Sequence, residues 1–160
     1  MTATIARRQT LGDLLRRSAR RVPGQTALVC GEVRWSYAEL DAIVDRLVHG
    51  LRGIGVGAGD KVAVLARNSH AFIAMRFALA RAGAVLVPVN FMLNADELAY
   101  ILGHSGARVL CTDSGLAGLA RAAAGKGTQI ETFVWLPGEV PGEPCAGMVA
   151  FETLLDAPAG

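Results

Sequence analysis

Few residues in this sequence have types and spacings that could do chemistry. Gly53-Ile54-Gly55-Val56-Gly57-Ala58 satisfies the loose G-x-G-x-x-A form of a dinucleotide loop. That chemistry needs a strand before the glycines and a helix N-terminus after them, so that backbone N–H groups point at phosphate. Here a helical pattern precedes and a strand pattern follows, so the segment reads as a helix C-cap and a tight turn. Gly103-His104-Ser105-Gly106-Ala107 is one residue short of a nucleophile elbow. An elbow also needs a strand leading into its serine, whereas this one falls at a helix end and reads as a cap. His49, His70 and His104 lack a ligand partner at i+3 or i+4, and read as surface or capping histidines rather than metal ligands. Arg7, Arg8, Arg16, Arg17, Arg20 and Arg21 concentrate cations near the start. A solvated helix face is the plain reading of them; a docking patch for anionic lipid head groups or an acidic partner is the alternative. No G-x-x-x-x-G-K-[ST] or other Gly/Ser/Thr-rich phosphate cradle occurs, and no pair of carboxylates between strand ends offers an acid–base couple.

The elements that must position these residues follow from the apolar periodicity. Thr10 with Asp13 starts a helix whose apolar stripe is Leu11, Leu14, Leu15 and Val22, with the arginines opposite, and Pro23-Gly24 stops it. Thr26–Cys30 and Val33–Trp35 read as short strands about a Gly31-Glu32 turn. Ser36 and Glu39 form a capping box inside a Trp35/Leu40 hydrophobic staple. From there Leu40, Ile43, Val44, Leu47, Val48, Leu51 and Ile54 step by three and four, an amphipathic helix. Strands at Lys61–Ala66, Ala84–Val89, Arg108–Thr112 and Ile130–Leu136 then alternate with helices at His70–Ala82, about Asn94–Ser105 and Leu116–Ala124. Continuous apolar strands alternating with helices predict a doubly wound α/β layer, a mostly parallel sheet with helices on both faces. Pro88 removes a ladder donor and points to a strand end or a sheet edge.

Composition bounds what such a layer does. The chain has 160 residues, 52% of them apolar and 19% charged, with a net charge of +2. Disorder is excluded, and the field is too weak to argue for nucleic acid. Arg67, Arg76 and Arg81 interrupt the best candidate for a membrane span. Cys30, Cys111 and Cys145 form neither a disulfide framework nor a zinc set, which fits a reducing cytoplasm. After Leu136 the sequence becomes rich in Pro and Gly, including Pro137, Pro141, Pro144 and Pro158. The expected division is an α/β unit over 1–136 and a connector over 137–160 with one short helical turn at Phe151–Leu155.

Five stretches in register resemble a known superfamily. Arg34-Trp-Ser-Tyr-Ala-Glu-Leu40 resembles the first core motif of AMP-forming adenylating enzymes, which include acyl-CoA synthetases, peptide-synthetase adenylation domains and luciferases. Gly59-Asp-Lys-Val-Ala-Val-Leu65 resembles the G-D-x-V-A strand, and Arg81-Ala-Gly-Ala-Val-Leu-Val-Pro-Val-Asn90 the second core motif. Leu93-Asn-Ala-Asp-Glu-Leu98 and His104-Ser-Gly-Ala-Arg-Val-Leu110 continue the match, which runs from about Thr10 to Leu155. Val89-Asn-Phe-Met-Leu-Asn-Ala-Asp-Glu97 is most similar to the fatty-acyl-CoA synthetase branch.

The resemblance implies the first subdomain of the large N-terminal domain of such an enzyme. It also implies a longer parent that uses ATP, Mg2+ and coenzyme A to activate a fatty acid or other carboxylate. In the family the phosphate loop, metal-binding glutamate, ribose-binding aspartate and mobile lysine come later, and the sequence stops before that loop is due. The expectation is therefore no catalytic, cofactor-binding or metal residue within this chain, and no turnover by it alone. Many relatives carry an arginine near coenzyme A where this chain has Met92, a side chain that cannot hold a phosphate. The expected setting is cytoplasmic, with peripheral contact to an anionic membrane through Arg7, Arg8, Arg16, Arg17, Arg20 and Arg21. The alternative is a self-associating binding module derived from such an enzyme, pairing through uncovered apolar faces.

Overall fold

Side-chain caps set where four of the helices begin, and short apolar runs between helices become strands. The computed structural model describes residues 10–138 and 142–157. In chain order the elements are α1 (Leu11–Arg21), β1 (Thr26–Cys30), β2 (Val33–Ser36), α2 (Tyr37–Gly53), β3 (Lys61–Leu65), α3 (His70–Ala82) and β4 (Val85–Pro88). Then follow α4 (Ala95–Ser105), β5 (Val109–Thr112), α5 (Ala117–Ala124), β6 (Thr132–Trp135), β7 (Val149–Ala150) and α6 (Phe151–Leu155). Reciprocal capping boxes start α1 at Thr10/Asp13, α2 at Ser36/Glu39 and α4 at Asn94/Glu97. Each satisfies helix donors that would otherwise lack partners. Gly83 and Gly106 end α3 and α4 in the left-handed conformation, at φ of 76° and 67°.

β1 and β2 form an antiparallel hairpin. The other strands make a five-stranded parallel sheet in the order β4-β3-β5-β6-β7. Alternate residues of β3 divide between its faces. Val62 and Val64 join Val44, Leu47 and Leu51 of α2, Met75 and Leu79 of α3, and Phe151 and Leu154 of α6. Ala63 and Leu65 join Leu98 and Leu102 of α4 and Ala120 and Ala123 of α5. This is the doubly wound layer expected from the sequence. Pro88 lies on the edge strand β4, where its missing N–H interrupts no ladder on the open side.

Two details depart from the sequence reading. On α1 the buried residues are Gly12, Leu15 and Ala19, while Leu11 and Leu14 are exposed. The helix turns its small residues inward because Gly12 packs on the backbone of Arg81, where a Cβ would sit 3.0 Å from Arg81 Cα. Arg81 also ties three helices together: its guanidinium pairs with Asp41 and Asp45 of α2 and donates to the Gly12 carbonyl. The Pro/Gly-rich stretch, in turn, gives the sheet a fifth strand, β7, whose two residues are too few to show a pattern. Behind it α6 buries Phe151 and Leu154 against α2, over Gly50, where any side chain would collide with the Leu154 backbone. No helix among the described residues is long and apolar enough to cross a membrane.

Candidate functional site at the strand carboxyl ends

In an open α/β sheet the crevice for ligands forms at strand carboxyl ends, where the chain reverses its direction of winding. Here the chain steps from β3 outward to β4 and then returns to the other side of β3 as β5. The reversal lies between the loops that follow β3 and β5, and Arg67 and Asp113 meet there. Asp113 Oδ2 accepts from the Arg67 backbone N–H at 3.0 Å. Its Oδ1 accepts from the Leu116 N–H at 3.0 Å and from Arg67 Nη1 at 3.3 Å. The Asp113 side chain is 12% exposed and that of Arg67 59%, so a largely buried carboxylate holds a cation that reaches solvent. The guanidinium lies 5.8 Å from the centre of the Phe91 ring, in the loop after β4. Asn90 Oδ1 accepts from the Met92 N–H in that loop, and Phe91 and Met92 are exposed. At the end of β6, Trp135 Nε1 donates to Ser114 Oγ at 2.8 Å, and that hydroxyl donates to the Glu143 carbonyl at 3.1 Å.

The oxygens at the helix starts decide what this end of the sheet can do. A phosphate would sit on free amides at a helix N-terminus. At α3 Ser69 Oγ takes the Phe72 N–H. At α4 Asn94 Oδ1 takes those of Asp96 and Glu97. α5 has no side-chain cap, and Asp113 takes there only the N–H of Leu116, the residue before its first turn. Side chains thus take amides at the starts of α3 and α4, and α5 begins without one. No group of three His, Cys, Asp or Glu residues able to hold a metal occurs among the described residues.

The residues singled out in the sequence disperse. The Gly53–Ala58 turn follows the end of α2, and the Gly57 N–H is taken by Asp60 Oδ2 at 2.7 Å, leaving it unavailable to phosphate. Ser105 donates to the Leu102 carbonyl at the end of α4, the bland role its position implies. His104 stacks on Tyr100. His70 is neither a surface nor a capping residue: it is buried, edge-on to the rings of Trp35 and Phe151. Its partners come from β2 and α6, far from it in sequence. Burial pushes the Cys111 thiol up to about 12, which makes it inert. Of the arginine cluster, Arg16 pairs with Asp45 at 3.4 Å, while Arg17, Arg20 and Arg21 are exposed. Arg7 and Arg8 lie outside the described residues. The groups that sequence reasoning missed, Arg67, Asp113, Ser114 and Trp135, sit within two residues of a strand's carboxyl end; that position was the available signal.

Residues 15–146 match the family described as AMP-binding enzyme. The chain is 47% identical over 104 residues to a feruloyl-CoA synthase of an Amycolatopsis species, covering 65% of this chain and 21% of that protein. It is 38% identical over 149 residues to a long-chain-fatty-acid–CoA ligase of Thermus thermophilus, covering 91% of this chain and 27% of that protein. Among solved structures, a fatty acyl CoA synthetase of Mycobacterium tuberculosis superposes with a TM-score of 0.77 at 28% identity. That likeness covers 94% of this chain and 30% of the other. The chain thus spans between about a fifth and about a quarter of the length of these two curated relatives.

Proposed function

The chain belongs to the AMP-binding enzyme family, and from that premise we propose that it is the leading α/β layer of a ligase that joins a fatty acid to coenzyme A. In that reaction an oxygen of the acid's carboxylate attacks the α-phosphorus of ATP, and pyrophosphate leaves. The coenzyme A thiolate then attacks the carbonyl carbon of the acyl-adenylate, the bond to the phosphate oxygen breaks, and AMP leaves. Likeness to the Thermus thermophilus fatty-acid ligase along 91% of this chain supports the choice of acid.

Within that protein the role of these residues is framework. The observation that carries this reading is that Ser69 and Asn94 already take amides at the starts of α3 and α4 along the carboxyl end. With those amides taken, other polypeptide would hold the triphosphate, and the Arg67–Asp113 pair joins the loop after β3 to the loop after β5, beside which that polypeptide would sit. The test is ATP–pyrophosphate exchange by the 160-residue chain with a long-chain fatty acid. No exchange above background is expected; robust exchange would overturn the framework reading.

A second reading has its own observation. Val85 on the edge strand and Phe91 and Met92 beyond its end are exposed, and clustered apolar surface recruits partners. In that case the chain is a module that pairs with itself. Light scattering showing a strict monomer that binds no apolar dye removes it. The gene past codon 160 separates the two readings: the ligase reading expects the frame to run on into a Thr/Ser-Gly-rich loop, and a stop codon there favours the module.

A further inference from the structure

His70 is the first residue of α3, is 9% exposed, and does nothing in the scheme above. Its ring meets Trp35 of β2 edge-on at 5.2 Å and 87°, and Phe151 of α6 at 6.4 Å and 90°. Its Nδ1 is buried and finds no hydrogen-bond partner. We propose that His70 is an acid-sensitive wedge: when neutral it holds the segment Val149–Leu155 against the sheet, and as imidazolium it releases that segment.

The chemistry of the ring makes the two states unequal. A neutral imidazole can leave Nδ1 as a bare acceptor, whereas imidazolium puts an N–H on both nitrogens. At Nδ1 that N–H would point into a place with no acceptor. The start of a helix also repels added positive charge. The charged groups on every neighbouring element leave Glu152 as the counterweight. On β2, Arg34 beside Trp35 is turned to Thr26 Oγ1 at 3.3 Å. In the preceding loop Arg67 is held by Asp113. On α2, Asp41 and Asp45 are held by Arg81 at the far end of α3, and Arg46 is held by the Leu155 carbonyl and Asp156. The first turn of α3 has no acid. Burial is the larger influence and pushes His70 below its ordinary value, while Glu152 pulls the other way.

Hydrating the second N–H requires one of the two rings to move, and we assign the movement to Phe151, which lies farther from His70 than Trp35 does. Phe151 opens a helix of five residues, too short to persist undocked. The rest of its anchorage is a two-residue strand, the Arg46 contacts at 2.8 and 3.2 Å, and Leu154, buried against α2 over Gly50. Release uncovers the edge of β6 and the Gly50 side of α2. The direction with pH follows from linkage. An open His70 titrates near about 6.5, and the docked one lower. Docking is therefore fully present above that value and is lost as pH falls through it towards the docked value. Each pH unit in that window raises the opening constant by up to about tenfold.

Amide hydrogen exchange on the 160-residue chain between pH 7.5 and 5, corrected for intrinsic rates, tests this. The amides of 149–155 are expected to lose protection by up to about tenfold per unit below about pH 6.5, while those of Val62–Leu65 keep theirs. His70→Gln, which cannot take up the proton, is expected to flatten that dependence. Constant protection in the unmodified chain, or a pH-dependent loss that survives in His70→Gln, would overturn the proposal. Should His70→Gln not fold, the imidazole signal of His70 in the unmodified chain decides by NMR. A midpoint clearly below the ordinary histidine value is expected, and one at or above it overturns the wedge.

Discussion

The two ends of the parallel sheet each carry an arginine–carboxylate pair, yet the pairs do different things. At the carboxyl end Arg67 and Asp113 meet at 3.3 Å, with the acid 12% exposed. At the amino end Arg108 and Glu131 meet at 2.6 Å, with both side chains 60% exposed. By distance the second pair is the stronger. Environment reverses that order, because an exposed pair competes with water and salt and contributes little net stability. Asp113 also accepts from the backbone amides of Arg67 and Leu116, so it joins the loop after β3 to the start of α5. The Glu131 carboxylate meets a side chain only. An ion pair becomes structural when its acid also answers backbone donors.

Removing the buried acid therefore has the largest expected effect. Asp113→Ala strands the amide of Arg67, leaves that of Leu116 only its 3.2 Å bond to the carbonyl of residue 113, and should cost about 2–4 kcal/mol, by analogy with other hydrogen bonds to charged groups. Urea unfolding measures it. Asp113→Asn, which keeps one acceptor oxygen, should lose less. A cost for Asp113→Ala no greater than that for removing the exposed acid would erase the difference between the two ends. The middle of the scale is Ser69→Ala, which uncaps α3 at the same end and should cost about 1 kcal/mol. Its effect should be concentrated in protection of the first turn of α3, read by hydrogen exchange. An unchanged first turn would mean that the Phe72 amide finds water as readily as Ser69.

Local signals explain what the sequence revealed. The capping boxes at Ser36/Glu39 and Asn94/Glu97 lie within four residues each, and β3 to β6 are contiguous apolar runs between helices. Layer type, helix starts and the edge position of Pro88 were readable for that reason. The reversal between β4 and β5 was not, because strand order is set by long-range packing. Without it nothing singles out Arg67 and Asp113, which are 46 residues apart. The same limit hid His70, whose aromatic neighbours Trp35 and Phe151 come from opposite ends of the chain. On α1 the apolar spacing favoured Leu11 and Leu14, but Gly12 allowed a backbone approach that no hydropathy pattern encodes.

The smallest expected effect belongs to the amino end, and there the sign with pH separates it from the rest. A hydrogen bond from Arg108 holds the Glu131 carboxyl below the usual glutamate range, and Glu131 in turn raises Arg108. A depressed acid contributes stability above its unfolded value of about 4.3, and loses it as pH falls through the folded value. Asp13 and Glu39 act in that same acid window, each held down by its own cap hydrogen bonds from Thr10 and Ser36. Glu131→Gln should therefore soften the acid limb of stability without abolishing it. At pH 7 it should shift the urea midpoint less than Ser69→Ala does, since Gln still offers Arg108 an acceptor. Even that shift should vanish near about 1 M salt, where charges are screened within about 3 Å. A loss at pH 7 that survives such salt would mean that the Arg108–Glu131 pair holds backbone as the Asp113 carboxylate does. The amino end would then be as rigidly built as the carboxyl end.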